Sequence, residues 1–203
     1  MISISRLCLP LASALFLVAP YFAQADSGLN KPIRTATEAA CHDEVCFDEV
    51  LKVGSKELNL LGVGKYEFFF FDVYTASFYA EQTCTIEQVL EPGQHKALIL
   101  YYHREISPSK FIDVSTDTIR KGSPTLSQEV QSGLQMISEM FLPVQEGDRY
   151  VLTYEPDVGT KLYHNRELLG IIPGAEFAKA YFGIWLSKDS VSSSLRDELL
   201  AGL

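Results

Sequence analysis

The sequence holds little that could support hydrolytic, metal or cofactor chemistry. It has no Gly-x-Ser-x-Gly elbow, and Ser107, Ser123 and Ser192 each stand where a starting helix needs a cap. Of the four histidines, His42 lies in a polar arm, His95 in a turn and His164 at a hairpin tip, all solvated positions, while His103 ends a strand and reads as a structural group rather than a base. There is no His-x-x-x-His pair, Gly-rich phosphate loop or paired-carboxylate motif, so no metal and no cofactor is expected. The polar residues that stand out surround one aromatic stretch: Lys65, Asp72, Tyr74 and Thr75 lie within it, and Tyr101, Tyr102 and Arg104 lie on the next strand. Taken singly, Lys65 can snorkel at a strand end, Asp72 can pair with a base, and the tyrosines can fill core. Taken together, they suit a pocket for an amphipathic molecule. A cation at the rim of an aromatic cavity orients a fatty carboxylate or a phenolate, while burial of the tail supplies most of the free energy, about 0.8 kcal/mol per CH₂.

The elements that position these groups follow from the pattern of apolar residues. Gly62 to Ala80 reads as one long central strand, apolar on both faces and therefore covered on both. Two short strands precede it, Val50 to Val53 and Glu57 to Gly64, turning at Gly54-Ser55, and Ala97 to Arg104 follows. Ser107-Pro108 and Ser123-Pro124 each start a helix; the first ends at Gly122 and the second before Pro143. Arg149 to Glu155 is a strand, and Lys161 to His164 with Glu167 to Ile172 forms a hairpin. A third helix carries Phe177, Tyr181, Ile184 and Trp185, and Ser192 to Ser194 cap a fourth. Strands, two helices, strands and two helices in that order predict an α+β fold, an antiparallel sheet with its helices gathered on one side.

The first residues read as an address. Arg6, the apolar run Leu7 to Val18 and Ala23-Gln24-Ala25 form a signal peptide over residues 1–25, which gives a mature chain starting at Asp26 and exported to a periplasm or the outside. No later segment offers the ~20 apolar residues of a spanning helix. Residues 26–48 are polar and without period, an arm, and residues 49–203 form a single domain. A net charge of −9 with no basic cluster argues against nucleic acid as a partner. Cys41 and Cys46 bracket a short loop and suit a disulfide; their spacing fits neither zinc nor haem, and Cys84 is left as a free or buried thiol.

Several segments in succession carry a resemblance. Gly62-Val-Gly-Lys65, Phe70 to Tyr79, Ile106 to Phe111, Phe177 with Ile184-Trp185-Leu186, and Leu195 to Leu200 are similar to the bacterial chalcone-isomerase-like proteins, across roughly Val50 to Leu200. The resemblance implies an open-faced β-sandwich, a large antiparallel sheet with a layer of helices on one face. It also implies where a ligand would sit. The arginine of the plant enzymes falls on or near Lys65, the strand threonine on Tyr74 with Thr75 as its neighbour, the helix tyrosine on Phe111, the asparagine on Thr118 and the later hydroxyl on Ile184. Phe111 and Ile184 have no hydroxyl, and Lys65 replaces a planar fork with a point charge. Losing one such donor typically lowers a rate by ~10²–10³. A non-catalytic member that binds a small apolar or amphipathic ligand, such as a fatty acid, is therefore expected ahead of an isomerase acting on an enone, or of an interaction module whose pocket is filled by side chains.

Overall fold

A computed structural model describes residues 39–203 apart from residue 83. The leader and most of the arm expected in residues 1–38 lie outside the described residues. The described part is α+β, as the order of elements predicts. Two strands come first, β1 (Ala39–His42) and β2 (Val45–Asp48), which pair with each other as a small hairpin. Seven further strands form one sheet in sequential antiparallel order: β3 (Val50–Val53), β4 (Lys56–Phe68), β5 (Phe71–Ala80), β6 (Lys96–Tyr102), β7 (Arg149–Glu155), β8 (Gly159–His164) and β9 (Glu167–Ile172). Helices α1 (Pro108–Gly122) and α2 (Gln128–Met140) interrupt the sheet between β6 and β7, and α3 (Ala175–Leu186) and α4 (Ser193–Leu199) follow β9. Among the described residues no helix is long and apolar enough to cross a membrane.

Alternation along the strands divides the apolar residues between two cores. Tyr74, Ala76, Phe78, Leu98, Leu100, Tyr102, Tyr150 and Leu152 face the helices and pack with Phe177, Phe182 and Trp185 of α3. Tyr79, Ala97, Ile99 and Val151 face the other way, against Val45 and Phe47 of the β1–β2 hairpin. Residues 39–48, expected to be irregular, thus cover part of the second face of the sheet. The Tyr79 hydroxyl donates to the Asp48 carbonyl at 2.8 Å, and the Arg149 guanidinium lies 5.3 Å from the Phe47 ring centre. A Cys41–Cys46 disulfide joins the hairpin strands, as expected, and Cys84 is a buried free thiol.

Two boundaries differ from the sequence reading. The long stretch Gly62 to Ala80 is not one strand. It belongs to β4 and β5, which reverse at Phe69-Phe70 with Phe68 paired to Phe71. The turn is hidden in the sequence because Phe69, at φ +58°, stands where Gly or Asn would announce it. Helix α2 starts at Ser127, whose hydroxyl accepts from the Val130 amide at 3.3 Å, and not at Ser123. Ser123 closes α1 instead, its amide donating to Ile119. Gly62 and Gly64 let α4 lie directly on β4, since a Cβ at Gly62 would collide with the Glu198 carbonyl.

Candidate functional site

A cavity of about 470 Å³ opens between the sheet and the helices. It lies in the size range of small-molecule sites, about 300–1,000 Å³, as a ligand-binding member requires and unlike the alternative of a pocket filled by side chains. Its floor is the helix-facing side of the sheet, from Tyr66 and Tyr74 across Leu100 and Tyr102 to Tyr150 and Leu162. Helix α1 supplies Lys110, Phe111, Val114 and Ser115, and α3 supplies Tyr181, Ile184 and Trp185. A register shift between β4 and β5 leaves Val73 without a partner, and both Val73 and the adjacent Tyr74 line the cavity. Such a bulge re-aims a side chain that strict alternation would send to the opposite face.

The aromatic wall is tightly interlocked. The Phe111 ring centre lies 5.6 Å from that of Tyr102, 5.4 Å from Tyr150 and 5.1 Å from Phe141, within the range of favourable ring pairs. Most of the hydroxyls are already engaged. Trp185 Nε1 donates to the Tyr74 hydroxyl at 3.0 Å, and Tyr150 bridges the amide and carbonyl of Leu142 at 2.8 Å each. The Ser115 hydroxyl donates to the Phe111 carbonyl and lies 3.4 Å from the Tyr181 hydroxyl. Tyr102 has no such partner among the described residues, so its hydroxyl is available to a ligand. Burial raises the pKa of Tyr74, Tyr102 and Tyr181 well above the usual phenol range and that of Tyr150 to about 12. These hydroxyls stay protonated, and those of Tyr74 and Tyr102, whose protons no other bond takes among the described residues, can donate to whatever enters.

The residues singled out from the sequence separate onto two faces. Tyr74, Phe111 and Ile184 line the cavity, together with Tyr102 and Arg104. Lys65 does not. It pairs with Thr75, one position from the Tyr66–Tyr74 pair, so its side chain emerges on the opposite face. There its ammonium lies 3.2 Å from both Asp43 and Asp72 and 3.7 Å from Glu67. Hydrogen bonds to Asp72 and then Asp43 raise the Lys65 pKa, and Lys65 in turn holds the Asp43 carboxyl below its usual range. Thr75 shares that face and meets His103 Nε2 at 2.8 Å, which makes His103 the structural group expected of it. Thr118 is also outside the lining, almost a full turn of α1 beyond Ser115.

Two cations and one acid, Glu105, occupy the mouth of the cavity in place of Lys65. Arg104 follows β6 and stacks over Phe71, 4.8 Å from its ring centre, and Lys110 lies in the first turn of α1. Both are exposed, and among the described residues neither forms an ion pair. Sequence reasoning singled out Arg104 but passed over Lys110, Ser115, Tyr181 and Trp185 as site residues. The available signal was helical spacing, because Lys110, Phe111, Val114 and Ser115 fall on one side of α1.

No curated protein matches the chain. Among solved structures it is similar to the crystal structure of an Arabidopsis thaliana fatty-acid binding protein, with a TM-score of 0.64 and 13% identity over 81% of this chain and 96% of that one. At that identity the likeness is one of fold. The model of the chalcone isomerase-like family matches residues 39–201, and the chain belongs to that family.

Proposed function

We propose that this protein is a non-catalytic carrier or sensor of a fatty acid or a comparable amphipathic molecule, exported by the leader read in residues 1–25. The carrying observation is the cavity itself, about 470 Å³ lined by aromatic and aliphatic side chains, with Arg104 and Lys110 at its mouth. The tail lies beneath α1 and α3, the head meets Arg104 or Lys110, and the Tyr102 hydroxyl serves any polar group deeper in. The fold shared with a fatty-acid binding protein supports this reading. Ten buried methylenes would contribute on the order of 8 kcal/mol before the costs of ordering and immobilisation. An exposed ion pair at the mouth adds only about 0–1 kcal/mol, so the tail sets affinity and the cations set orientation.

Trp185 is the single tryptophan of the chain and lies in the cavity wall, which gives a direct reporter. Titration with saturated fatty acids of increasing length is expected to shift its emission at a stoichiometry of one. Affinity should rise roughly fourfold per added methylene until the cavity is full. Arg104→Ala with Lys110→Ala should weaken a fatty acid several-fold and leave the matching alcohol almost unaffected. An unchanged Trp185 spectrum at saturating palmitate, together with no co-purified lipid in native mass spectrometry, would remove the proposal.

A further inference from the structure

The turn between β4 and β5 puts four consecutive phenylalanines into solvent, with Phe68 57%, Phe69 80%, Phe70 95% and Phe71 59% exposed. We propose that this tip docks the protein on a lipid bilayer, inserting its rings among the acyl chains so that the mouth of the cavity opens towards the membrane. The transfer of ligand rests on the fatty-acid reading above; the docking itself does not.

Two costs are maintained at this turn against little return inside the molecule, where Phe68 meets Phe69 edge to face and Arg104 stacks on Phe71. Exposed aromatic rings forgo the free energy of burial, and contiguous apolar surface of this kind ordinarily marks an interaction site. Phe69 also holds φ +58° at the first position of a two-residue hairpin loop, where a bulky residue is strained and Gly is the usual choice. A turn selected only to reverse the chain would carry Gly or Asn.

The position of the tip names its occupant. Phe68 belongs to both the exposed tip and the cavity lining, so apolar surface runs from the end of the hairpin into the pocket without interruption. Arg104, Lys110 and Val114 share the same rim with one acid, Glu105, so its charged residues are two cations and one anion, and Val114 is 46% exposed. Cations beside exposed aromatics suit the boundary between headgroups and acyl chains. Glu67 and Asp72, directly opposite each other behind the phenylalanines, oppose approach to a membrane and are only partly offset by Lys65, which they share with Asp43, but they lie on the face of the sheet turned away from the cavity. A second copy of the chain is a poor fit. Four rings of about 150–250 Å² each, already partly covered, fall short of the ~800 Å² per partner of a stable interface. The phenylalanine side chains also offer no hydrogen-bonding groups with which to select a protein surface.

The test is flotation of the full mature chain with phosphatidylcholine vesicles. The parent is expected to float, with partitioning that changes less than about twofold between ~0.05 and ~0.5 M salt, because insertion and not charge holds it. Phe69→Gly combined with Phe70→Ser should weaken partitioning at least about tenfold. The double variant should also be no less stable than the parent, since Gly relieves the turn, and should bind palmitate in vesicle-free solution with unchanged affinity. A parent that remains in the soluble fraction, or a variant that floats equally well, overturns docking. So does a concentration-dependent dimer that the variant abolishes without any flotation. Flotation without palmitate binding supports docking and sinks the ligand reading; palmitate binding without flotation does the reverse.

Discussion

Lys96 begins β6 with its side chain towards the helices and is 1% exposed, an unusual place for an ammonium. It donates to the Glu91 carbonyl at 2.9 Å and lies 5.2 Å from the Tyr154 ring centre. These contacts do not replace its hydration, and desolvation lowers its pKa from 10.5 to about 8. The folded state therefore resists the proton that the unfolded chain accepts. Its penalty is fully present below the folded value and disappears as pH rises towards the unfolded one. The buried thiol and tyrosines act oppositely, since burial raises their pKa values and unfolding releases their protons above about pH 9–10. The clean quantity is thus the stability of the parent minus that of Lys96→Met, from urea unfolding. It should move in favour of the parent by on the order of 1–2 kcal/mol between about pH 8 and about pH 10. A pH-independent difference would show that Lys96 is solvated in the folded chain.

The β1–β2 hairpin shows best where the sequence was legible and where it was not. Strands β6 to β9 and helices α1, α3 and α4 follow from alternation, helical spacing and Ser or Pro at their starts. The hairpin is only four residues per strand, and the alternation of β2 rests on Val45 and Phe47 alone, too short a run to announce a strand. Only its cysteine pair hinted at a closed loop. The reversal at Phe69-Phe70 was hidden for a different reason, because it uses residues that favour strands where turn residues belong. That second omission did not itself misplace the cation. Lys65 and Tyr74 are an odd number of residues apart and face opposite ways on a straight strand as well as across the turn, and it is the resemblance that assigns Lys65 to the site. The hairpin's own contribution can be measured. Phe47 is 2% exposed between the sheet and Arg149, and Phe47→Ala should destabilise the fold by about 3 kcal/mol in urea while leaving palmitate affinity unchanged, since the cavity is on the other face. A cost below about 0.5 kcal/mol, in the range of surface substitutions, would mean that the hairpin does not hold the second face.

At the scale of the whole molecule, the family architecture is kept while the groups that a ring-closing reaction requires are missing or turned away. Closing a flavanone ring calls for a cation near a phenolate and hydroxyl donors on the carbonyl. The cation assigned by resemblance, Lys65, is on the far face of the sheet among three carboxylates, and Thr118 is outside the cavity. Phe111 and Ile184 do reach the cavity but cannot donate a hydrogen bond. The tyrosine hydroxyls of the lining, among them those of Tyr74, Tyr102, Tyr150 and Tyr181, are held protonated by burial and are poor bases near neutral pH. With two donors absent at ~10²–10³ each, cyclisation should not exceed the uncatalysed rate. Followed by loss of chalcone absorbance, a 2′-hydroxychalcone is expected to disappear no faster with the protein than in buffer. Phe111→Tyr alone should not change this, because it restores a donor without bringing a cation to the phenolate. Turnover that Tyr102→Phe abolishes would instead make Tyr102 a catalytic donor, and the cavity would then have to be read as an active site.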